Sequence, residues 1–341
     1  MSKNMKSKSQ ILAFFFIFLI INTFAQDKIY KKPITHLSFG SCNRAGLNPE
    51  VWKAIGLQQS DVWIWLGDIV YGKTADSKDL SQQYEIQNEN PYYRELKEKV
   101  KIFGIWDDHD YGKNDGGKDY ALKDVSRELL FNFLEIPDTH PARKRKGAYQ
   151  AYSFGSGYQK ILLILLDNRY FKEPYKNNPD PKQRYYPNPG LLLGESQWKW
   201  LENLLSSSDA RVHLFGSGIQ FLSDQHPYEK WENFPNAKAR MRELILKYNV
   251  KNPVFLSGDR HIAELSKTDL TPAKSLFDFT SSGITHSYDV LQNEINPYRI
   301  SPLIVKRNFG QVFFDWNRST IRFEITSADG RSLYRSKHYL E

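Results

Sequence analysis

The sequence of 341 residues contains only one cysteine, Cys42. A single cysteine forms no disulfide within its own chain, which excludes the small exported scaffolds that disulfides hold together. The sequence also lacks internal repeats and any Ser/Gly/Pro-rich linker long enough to separate domains. With 40% hydrophobic and 25% charged residues it is neither disordered nor collagen-like. We therefore expect residues 26–341 to form a single globular domain.

Long apolar runs are absent except near the N-terminus. There, Lys3, Lys6 and Lys8 precede an apolar stretch at residues 11–21, which small or apolar residues follow up to Ala25. This order is typical of a cleaved secretory signal peptide. The stretch is shorter than the roughly 20 residues that span a bilayer, which disfavours a retained membrane anchor. We predict a signal peptide at residues 1–25 and an exported protein, periplasmic or extracellular.

No strong excess of one charge sign is present. The 47 Lys and Arg residues face 39 Asp and Glu residues, and the formal net charge is +8. The predicted signal peptide holds three of the lysines and no acidic residue, so the mature chain is only mildly basic. Such a balance suits anionic small molecules and does not indicate specific recognition of nucleic acid.

Short apolar or β-branched runs alternate with segments of helical periodicity over most of the chain. The runs predict strands at 34–39, 62–66, 101–105, 161–166, 212–215 and 254–256. The periodic segments predict helices at 49–57, 118–134, 195–205 and 237–248. This alternation is typical of an α/β protein. The last third predicts strands without helices between them, at 277–281, 311–315, 320–326 and 332–338, so we expect an added antiparallel sheet.

Chemically active side chains follow the first six predicted strands. In α/β sheets, ligands bind beyond the carboxyl ends of the strands, so these side chains should share one edge. They include Cys42, Asp68, Tyr71, Asp107, Asp108, His109, Asp110, Asn114, Asp167, Arg169, Asp259, Arg260 and His261. So many acidic groups at one edge would repel one another, and bound metal cations are the usual resolution.

The residue types at this edge indicate two unlike metals. Thiolate and imidazole suit a transition metal, whereas carboxylate and amide oxygens suit Ca²⁺, Mg²⁺ or Mn²⁺. Both kinds of ligand are present. Cys42, Tyr71 and His261 would suit the transition metal, and Asp108, Asn114 and Asp259 would suit the oxygen-binding cation. Asp68 is the expected bridge, because it lies on the same loop as Tyr71 and reaches the same ion.

Five short segments carry a resemblance to a known family: GSC, LGDIVY, DDHDYGKND, LDNR and LSGDRH. Together, from about residue 39 to about residue 265, they resemble the alkaline phosphatase D (PhoD-like) family of calcineurin-like metallophosphoesterases. The resemblance implies a four-layer α/β/β/α sandwich of two mixed sheets. It also implies a phosphoric ester hydrolase, either an alkaline phosphatase or a phosphodiesterase, whose substrate is a small-molecule, lipid or nucleotide phosphoester.

The resemblance further implies a mixed metal centre with assigned residues. An Fe³⁺ ion would be held by Cys42, Asp68, Tyr71 and His261. One or two Ca²⁺ ions would be held by Asp68, Asp108 and Asp259, with Asn114 as a further oxygen ligand or phosphate contact. Other divalent metals are possible. His109 and Arg260 would be catalytic groups facing the phosphate, while Arg169 would contact substrate or, with Asp107, Asp110 and Asp167, support the ligands.

Mechanism and substrate follow as hypotheses. A metal-bound hydroxide would attack the phosphorus in line, and Arg260 would offset charge on the phosphoryl oxygens. His109 would either protonate the leaving alkoxide or simply orient it. Aromatic residues in the loop 170–190 would shape the pocket or simply pack. Monoester hydrolysis, strict phosphodiesterase or phospholipase-type activity, and more remotely a carbohydrate-active or binding protein, all stay open, as does the oligomeric state.

Overall fold

The computed structural model describes residues 28–290 and 293–341, so the predicted signal peptide at residues 1–25 lies outside the described residues. The strands are β1 (Lys28–Tyr30), β2 (His36–Gly40), β3 (Val62–Leu66), β4 (Lys101–Ile105), β5 (Gln150–Phe154), β6 (Ile161–Leu165), β7 (Val212–Ser217), β8 (Pro253–Ser257), β9 (Ala263–Thr271), β10 (Lys274–Ser281), β11 (Asn308–Asp315), β12 (Thr320–Ser327) and β13 (Ser332–Tyr339). The helices are α1 (Val51–Gly56), α2 (Ser77–Glu89), α3 (Pro91–Lys99), α4 (Asp108–Tyr111), α5 (Lys123–Phe133), α6 (Glu195–Ser206) and α7 (Pro235–Lys247). Among the described residues, no helix has the length and apolar character needed to cross a membrane.

The described strands form two mixed sheets. A seven-stranded sheet has the order β1-β5-β6-β7-β8-β10-β9, and a six-stranded sheet has the order β13-β12-β11-β2-β3-β4. The pairs β2–β3, β3–β4, β6–β7 and β7–β8 are parallel, so the carboxyl ends of these strands collect at one edge of each sheet. The predicted α/β class with two mixed sheets is confirmed.

The two sheets pack face to face, and helices cover their outer faces. Strand β6 is buried on both sides, so its side chains divide by the two-residue period of a strand. Ile161, Leu163 and Leu165 belong to the core between the sheets, whereas Leu162 and Ile164 pack in a second core with residues of α6 and α7. The seven-stranded sheet and the helices α6 and α7 on its outer face thus form two of the four layers.

The six-stranded sheet is covered by α1 and α3 through aromatic contacts. The indole of Trp52 in α1 lies 5.3 Å from that of Trp63 and 4.9 Å from that of Trp65, both in β3. Trp65 Nε1 also donates a hydrogen bond of 3.0 Å to the hydroxyl of Tyr93 in α3. Together with the helices on the other sheet, these contacts complete the predicted four layers.

The C-terminal strands extend both sheets. The sequence predicts an added antiparallel sheet here; the antiparallel strands are present, and β11 pairs with β2, so they extend the sheet that carries β3 and β4. Strand β10 pairs parallel with β8 and antiparallel with β9, extending the other sheet. Hydrogen bonding to an existing edge strand pairs backbone N–H and C=O groups. In an isolated sheet, such groups would stay unpaired at two additional edges.

Candidate metal centre

The loops after β2, β3, β4 and β8 meet where the carboxyl ends of the two sheets converge. Asn43 donates its backbone N–H to the carbonyl of Asp68 at 2.8 Å, and Gly67 donates to the carbonyl of Ile105 at 2.8 Å. The backbone N–H of Asp259, on the loop after β8, donates to Ser41 Oγ at 3.3 Å. These bonds connect loops of both sheets directly, so the side chains that they carry are held by the scaffold.

Four of the predicted ligands have a left-handed backbone conformation. The φ angles are 62° for Cys42, 47° for Asp68, 67° for Asp259 and 56° for His261. Non-glycine residues rarely adopt such angles, and each costs on the order of 1–3 kcal/mol. Gly67 also has a positive φ of 79°, and a Cβ atom there would lie 2.1 Å from Asp107 Cβ. Backbone strain is thus concentrated at this edge, as at functional sites.

The first group of potential ligands consists of Cys42, Asp68 and His261. Their ligand atoms all lie within 4.8 Å of one another, and all three side chains are buried. Cys42 Sγ lies 3.5 Å from Asp68 Oδ2, and the Tyr71 hydroxyl donates to the same oxygen at 2.9 Å. The four residues predicted to hold the transition metal are therefore neighbours in the structure.

Asp68 also belongs to a second group, with Asp108 and His109, whose ligand atoms again lie within 4.8 Å of one another. Its second oxygen, Oδ1, accepts the backbone N–H of His109 at 3.4 Å. One oxygen of Asp108 accepts the N–H of Asp115 at 2.9 Å. Asp68 thus lies between two sets of ligands, which is the position expected of a bridging carboxylate.

Asp259 and two acids that the sequence analysis missed complete the cluster. Asp259 groups with Asp107 and Glu229, and Glu229 also groups with Asp108 and Asp115. Glu229 lies near the end of the long loop that follows β7, well beyond the residues directly after the strand, so the strand-end pattern did not indicate it. Asp115 is the neighbour of the predicted Asn114, and it is Asp115 that joins the acidic cluster. The side chain of Asn114 is exposed, and its role as an oxygen ligand or phosphate contact stays a prediction.

Buried basic residues neutralise part of this cluster. Arg169 Nε donates to Asp107 Oδ1 at 2.7 Å, while its two terminal nitrogens donate to the oxygens of Glu229 at 2.7 and 2.6 Å. Lys172 Nζ donates to Glu229 Oε1 at 3.0 Å. Burial disfavours ionised Glu229, but Arg169 and Lys172 outweigh it and hold the pKa of Glu229 below its usual range. The guanidinium of Arg169 is fully buried and paired with both carboxylates, an arrangement that suits a supporting role, and its predicted contact with substrate stays a prediction.

Two other acids support the loops rather than the ion positions. Asp110 accepts the backbone N–H groups of Asp68 at 3.2 Å, Ile69 at 3.3 Å and Asp107 at 2.7 Å. Asp167 accepts from the indole of Trp106 at 2.8 Å and from three backbone N–H groups. Both acids therefore fix the loops that carry the ligands, as the sequence analysis expects of Asp110 and Asp167.

Arg260 and His109, the predicted catalytic groups, differ in their access to the site. The side chain of Arg260 is 1% exposed, pairs with Glu294 and lies 4.6 Å from the ring centre of Tyr228. One terminal nitrogen of Arg260 is paired with Glu294, whereas its Nε has no hydrogen-bond partner among the described residues. His109 is half-buried, and its ring centre lies 4.2 Å from that of Tyr71. His109 thus stays close to the ligands, whereas Arg260 is committed to a buried ion pair.

His286 and Tyr288 also line the site, although the sequence analysis did not single them out. The His261 ring lies between them, with centroids 4.4 Å from His286 and 4.3 Å from Tyr288. The His286 ring is also 5.3 Å from that of Tyr71. These residues follow β10, so extending the strand-end rule to that strand would have found them.

The loop at residues 170–190 contributes packing more than pocket surface. Tyr170 and Tyr185 are 3% exposed, and Tyr175 stacks on Tyr185 with ring centres 4.2 Å apart. The Tyr185 hydroxyl donates to a carboxylate oxygen of Asp115. Of these aromatics, Tyr186 is exposed. The loop therefore contacts the acidic cluster through this hydrogen bond and packs against the rest of the structure through its buried aromatic side chains.

The electrostatics of the protein without a cation are unfavourable. Burial, followed by the charges of Asp108, Asp107, Asp110 and Asp259, raises the pKa of Asp68 well above its ordinary value. Burial and then the Asp68 carboxylate raise the pKa of the Cys42 thiol. A bound cation reverses this balance, because it stabilises the ionised form of each ligand.

Three atoms of the candidate site, Asp107 Oδ2, Asp108 Oδ1 and His261 Nδ1, are among the buried polar atoms that have no hydrogen-bond partner in the described residues. Unpartnered buried polar atoms are costly, and a metal ion would satisfy them. The donor set of thiol, phenol, imidazole and carboxylates also matches the ligand preferences of a transition metal beside a hard divalent cation. The residues present therefore fit a metal centre.

Comparison with known proteins agrees with this geometry. A sequence model of the PhoD-like phosphatase family matches residues 37–326. Alkaline phosphatase D of Bacillus subtilis (strain 168) is 24% identical, over 83% of this chain and 55% of that protein, so the chain spans about half the length of this relative. The solved structure of PhoD superposes with a TM-score of 0.65 at 18% identity, covering 90% of this chain and 69% of that chain. A dimetal phosphatase from Danio rerio gives a TM-score of 0.53 at 11% identity, covering 91% and 100%. With its two mixed sheets and a family match over most of its length, the chain belongs to the PhoD-like phosphatases.

Proposed function

We propose that this protein is an exported, metal-dependent phosphoester hydrolase that acts on phosphomonoesters or phosphodiesters. The observation that carries the proposal is the position of Asp68, whose carboxylate belongs to two adjacent groups of potential metal ligands of different chemistry. Family membership supports the same reaction class, and the names of both the Bacillus subtilis relative and the Danio rerio protein describe phosphatases.

The proposed metals are Fe³⁺ and Ca²⁺. Cys42, Tyr71 and His261 would hold the iron, Asp108 and Asp259 the calcium, and Asp68 would bridge them. Cations in such a pair bind phosphate oxygens, acidify water and stabilise the leaving oxygen. Buried Asp107 and Glu229, each hydrogen-bonded to Arg169, lie beside Asp259 on the proposed calcium side.

Side chains at the rim would handle the proton. His109 is half-buried beside Tyr71, and its backbone N–H is fixed on Asp68. From this position its imidazole would hold a proton for the leaving alkoxide, which departs as the neutral alcohol. The Tyr71 oxygen lies 2.9 Å from Asp68 Oδ2, so the two side chains are placed to reach the same ion.

The experiment that tests this proposal combines metal analysis with two substrates. The purified protein is assayed with p-nitrophenyl phosphate and bis(p-nitrophenyl) phosphate before chelation, after chelation and after metals are restored. We expect activity to disappear with the metals and to return with iron and calcium together. The ratio of the two rates assigns monoester or diester preference. Full activity of the metal-free protein, or no turnover of either ester by the loaded protein, would refute the proposal.

Replacing Cys42 with serine should remove the transition metal selectively. A hydroxyl is a much weaker ligand for Fe³⁺ than a thiolate, while Asp108 and Asp259 are untouched. We expect iron content and the visible thiolate-to-metal absorption band to fall while calcium content is retained. Ser41→Ala serves as a neighbouring comparison, because it removes the 3.4 Å contact to the sulfur and the 3.3 Å hydrogen bond from the Asp259 N–H but no proposed metal ligand. Unchanged iron in Cys42→Ser would mean that the thiol is merely packed.

A further inference from the structure

Arg44 lies on the loop after β2, two residues beyond Cys42, and is exposed. Its backbone N–H donates to Thr285 Oγ1 at 2.8 Å, and Thr285 Oγ1 lies 3.3 Å from the carbonyl oxygen of Cys42. Its guanidinium lies over the ring of Tyr71, 5.3 Å from the ring centre. The backbone of Arg44 is therefore anchored beside the metal centre, and its charged head stands over one of the proposed ligands.

The other two arginines of the site have their charges already matched. Arg169 is paired with Asp107 and Glu229, and Arg260 with Glu294, and both guanidinium groups are buried. Among residues 28–290 and 293–341, no carboxylate lies within ion-pair distance of the Arg44 guanidinium. Its N–H donors are thus exposed to an anion that enters from solvent, whereas the guanidinium groups of Arg169 and Arg260 are buried and already paired with carboxylates.

Arg44 lies beside the aromatic side chains that line the candidate metal centre. Its guanidinium carbon is 5.3 Å from the ring centre of Tyr71. The Tyr71 ring centre is 5.3 Å from that of His286, which in turn is 4.4 Å from that of His261. An anion bound between the metal ligands and Arg44 would therefore meet a guanidinium on its solvent side, which is the geometry that recognises a phosphoryl group.

We propose that Arg44 binds the phosphoryl group of the substrate, in the role that the sequence pattern assigns to Arg260. This inference rests on the proposed function, because it takes the anion to be a phosphate ester. The guanidinium offers two parallel N–H donors to two phosphoryl oxygens, and metals held by Asp68 and its neighbours would supply positive charge to the same phosphoryl group. A monoester dianion gains more from this contact than a diester monoanion, so Arg44 favours monoesters.

Binding of inorganic phosphate to the metal-loaded protein, measured by titration calorimetry, tests the role of Arg44 without requiring turnover. We expect Arg44→Gln to raise the phosphate Kd by about 10- to 100-fold, the factor associated with one charge-assisted hydrogen-bonded contact. Arg44→Lys should give an intermediate Kd, since lysine keeps the positive charge but lacks the two parallel N–H donors of the guanidinium. Arg94→Gln, an exposed arginine on α3, should leave the Kd unchanged. With p-nitrophenyl phosphate, KM should rise more than kcat falls.

The alternative role for Arg44 is only to hold Tyr71 in place. In that case Arg44→Gln would change metal content and the visible spectrum while the phosphate Kd stayed at the wild-type value, and the inference would be overturned. It would equally be overturned if the loaded wild-type protein did not bind phosphate, or if Arg260→Gln, folded by circular dichroism, lost phosphate binding while Arg44→Gln kept it. Phosphate binding that depends on Arg44 without turnover of any ester would instead reject the proposed function and keep the anion site.

Discussion

Replacement of Asp68 by asparagine is expected to lower kcat/KM by about a thousandfold, because metal-mediated stabilisation of the transition state is worth several kcal/mol. The carboxylate is shared by both groups of ligands, so its loss weakens both ion positions. The new amide is also poorly placed. Both oxygens of Asp68 accept from donors, the Tyr71 hydroxyl and the His109 N–H, so one donor would face the amide NH₂.

Three measurements on Asp68→Asn separate chemistry from folding: kcat/KM, the content of each metal, and the thermal unfolding curve. The matched control is Asp138→Asn, since the Asp138 side chain is 99% exposed. We expect the Asp68 variant to lose both metals and activity, and the control to match the wild type. Retention of both metals with activity within tenfold of wild type would show that Asp68 does not bridge them.

The parallel part of the fold follows from the sequence because its strands are buried on both faces. Such strands appear as short continuous apolar runs, and β3 and β4 have the predicted bounds of 62–66 and 101–105. Helix α2 was not predicted, because it lacks the apolar pattern that identifies the strands. It is mainly polar and is defined by its cap, where Asp76 accepts the N–H groups of Lys78 and Asp79. Apolar periodicity carries no signal for such a helix.

The rule that ligands bind beyond the carboxyl ends of parallel strands predicted the neighbours of Asp68. Parallel strands bring their carboxyl ends together regardless of the conformation of the loops. It could not predict which charges are matched inside the cluster. Arg44, Arg169 and Arg260 all follow a strand, yet two are buried in ion pairs with Asp107, Glu229 or Glu294, and one is exposed. The difference depends on acidic residues from distant segments of the chain. The spacing of residues in the sequence does not show which of these acids pack against the arginines.

The buried network around Arg169 is expected to dominate the stability of the site. Arg169→Met should lower the free energy of unfolding by about 3–5 kcal/mol, the usual cost of removing one partner of a buried ion pair. Asp107 and Glu229 would both remain buried, each without its guanidinium. Arg169→Lys should recover only part of the loss, because one ammonium cannot keep three hydrogen bonds that the fork makes to two carboxylates.

Urea unfolding of the variants, with and without metals, provides the measurement. Arg318→Met is the matched control: Arg318 pairs with Asp315 at 3.1 Å but is 79% exposed, so we expect a change of at most about 1 kcal/mol. Pairing Arg169→Met with Glu229→Leu should cost less than the sum of the single changes, because the second substitution removes a carboxylate that the first leaves unpaired. Additive losses would mean that the two side chains stabilise the protein independently. The ion pair would then not be what holds the acidic cluster together, and the cations themselves would have to neutralise Asp107 and Glu229.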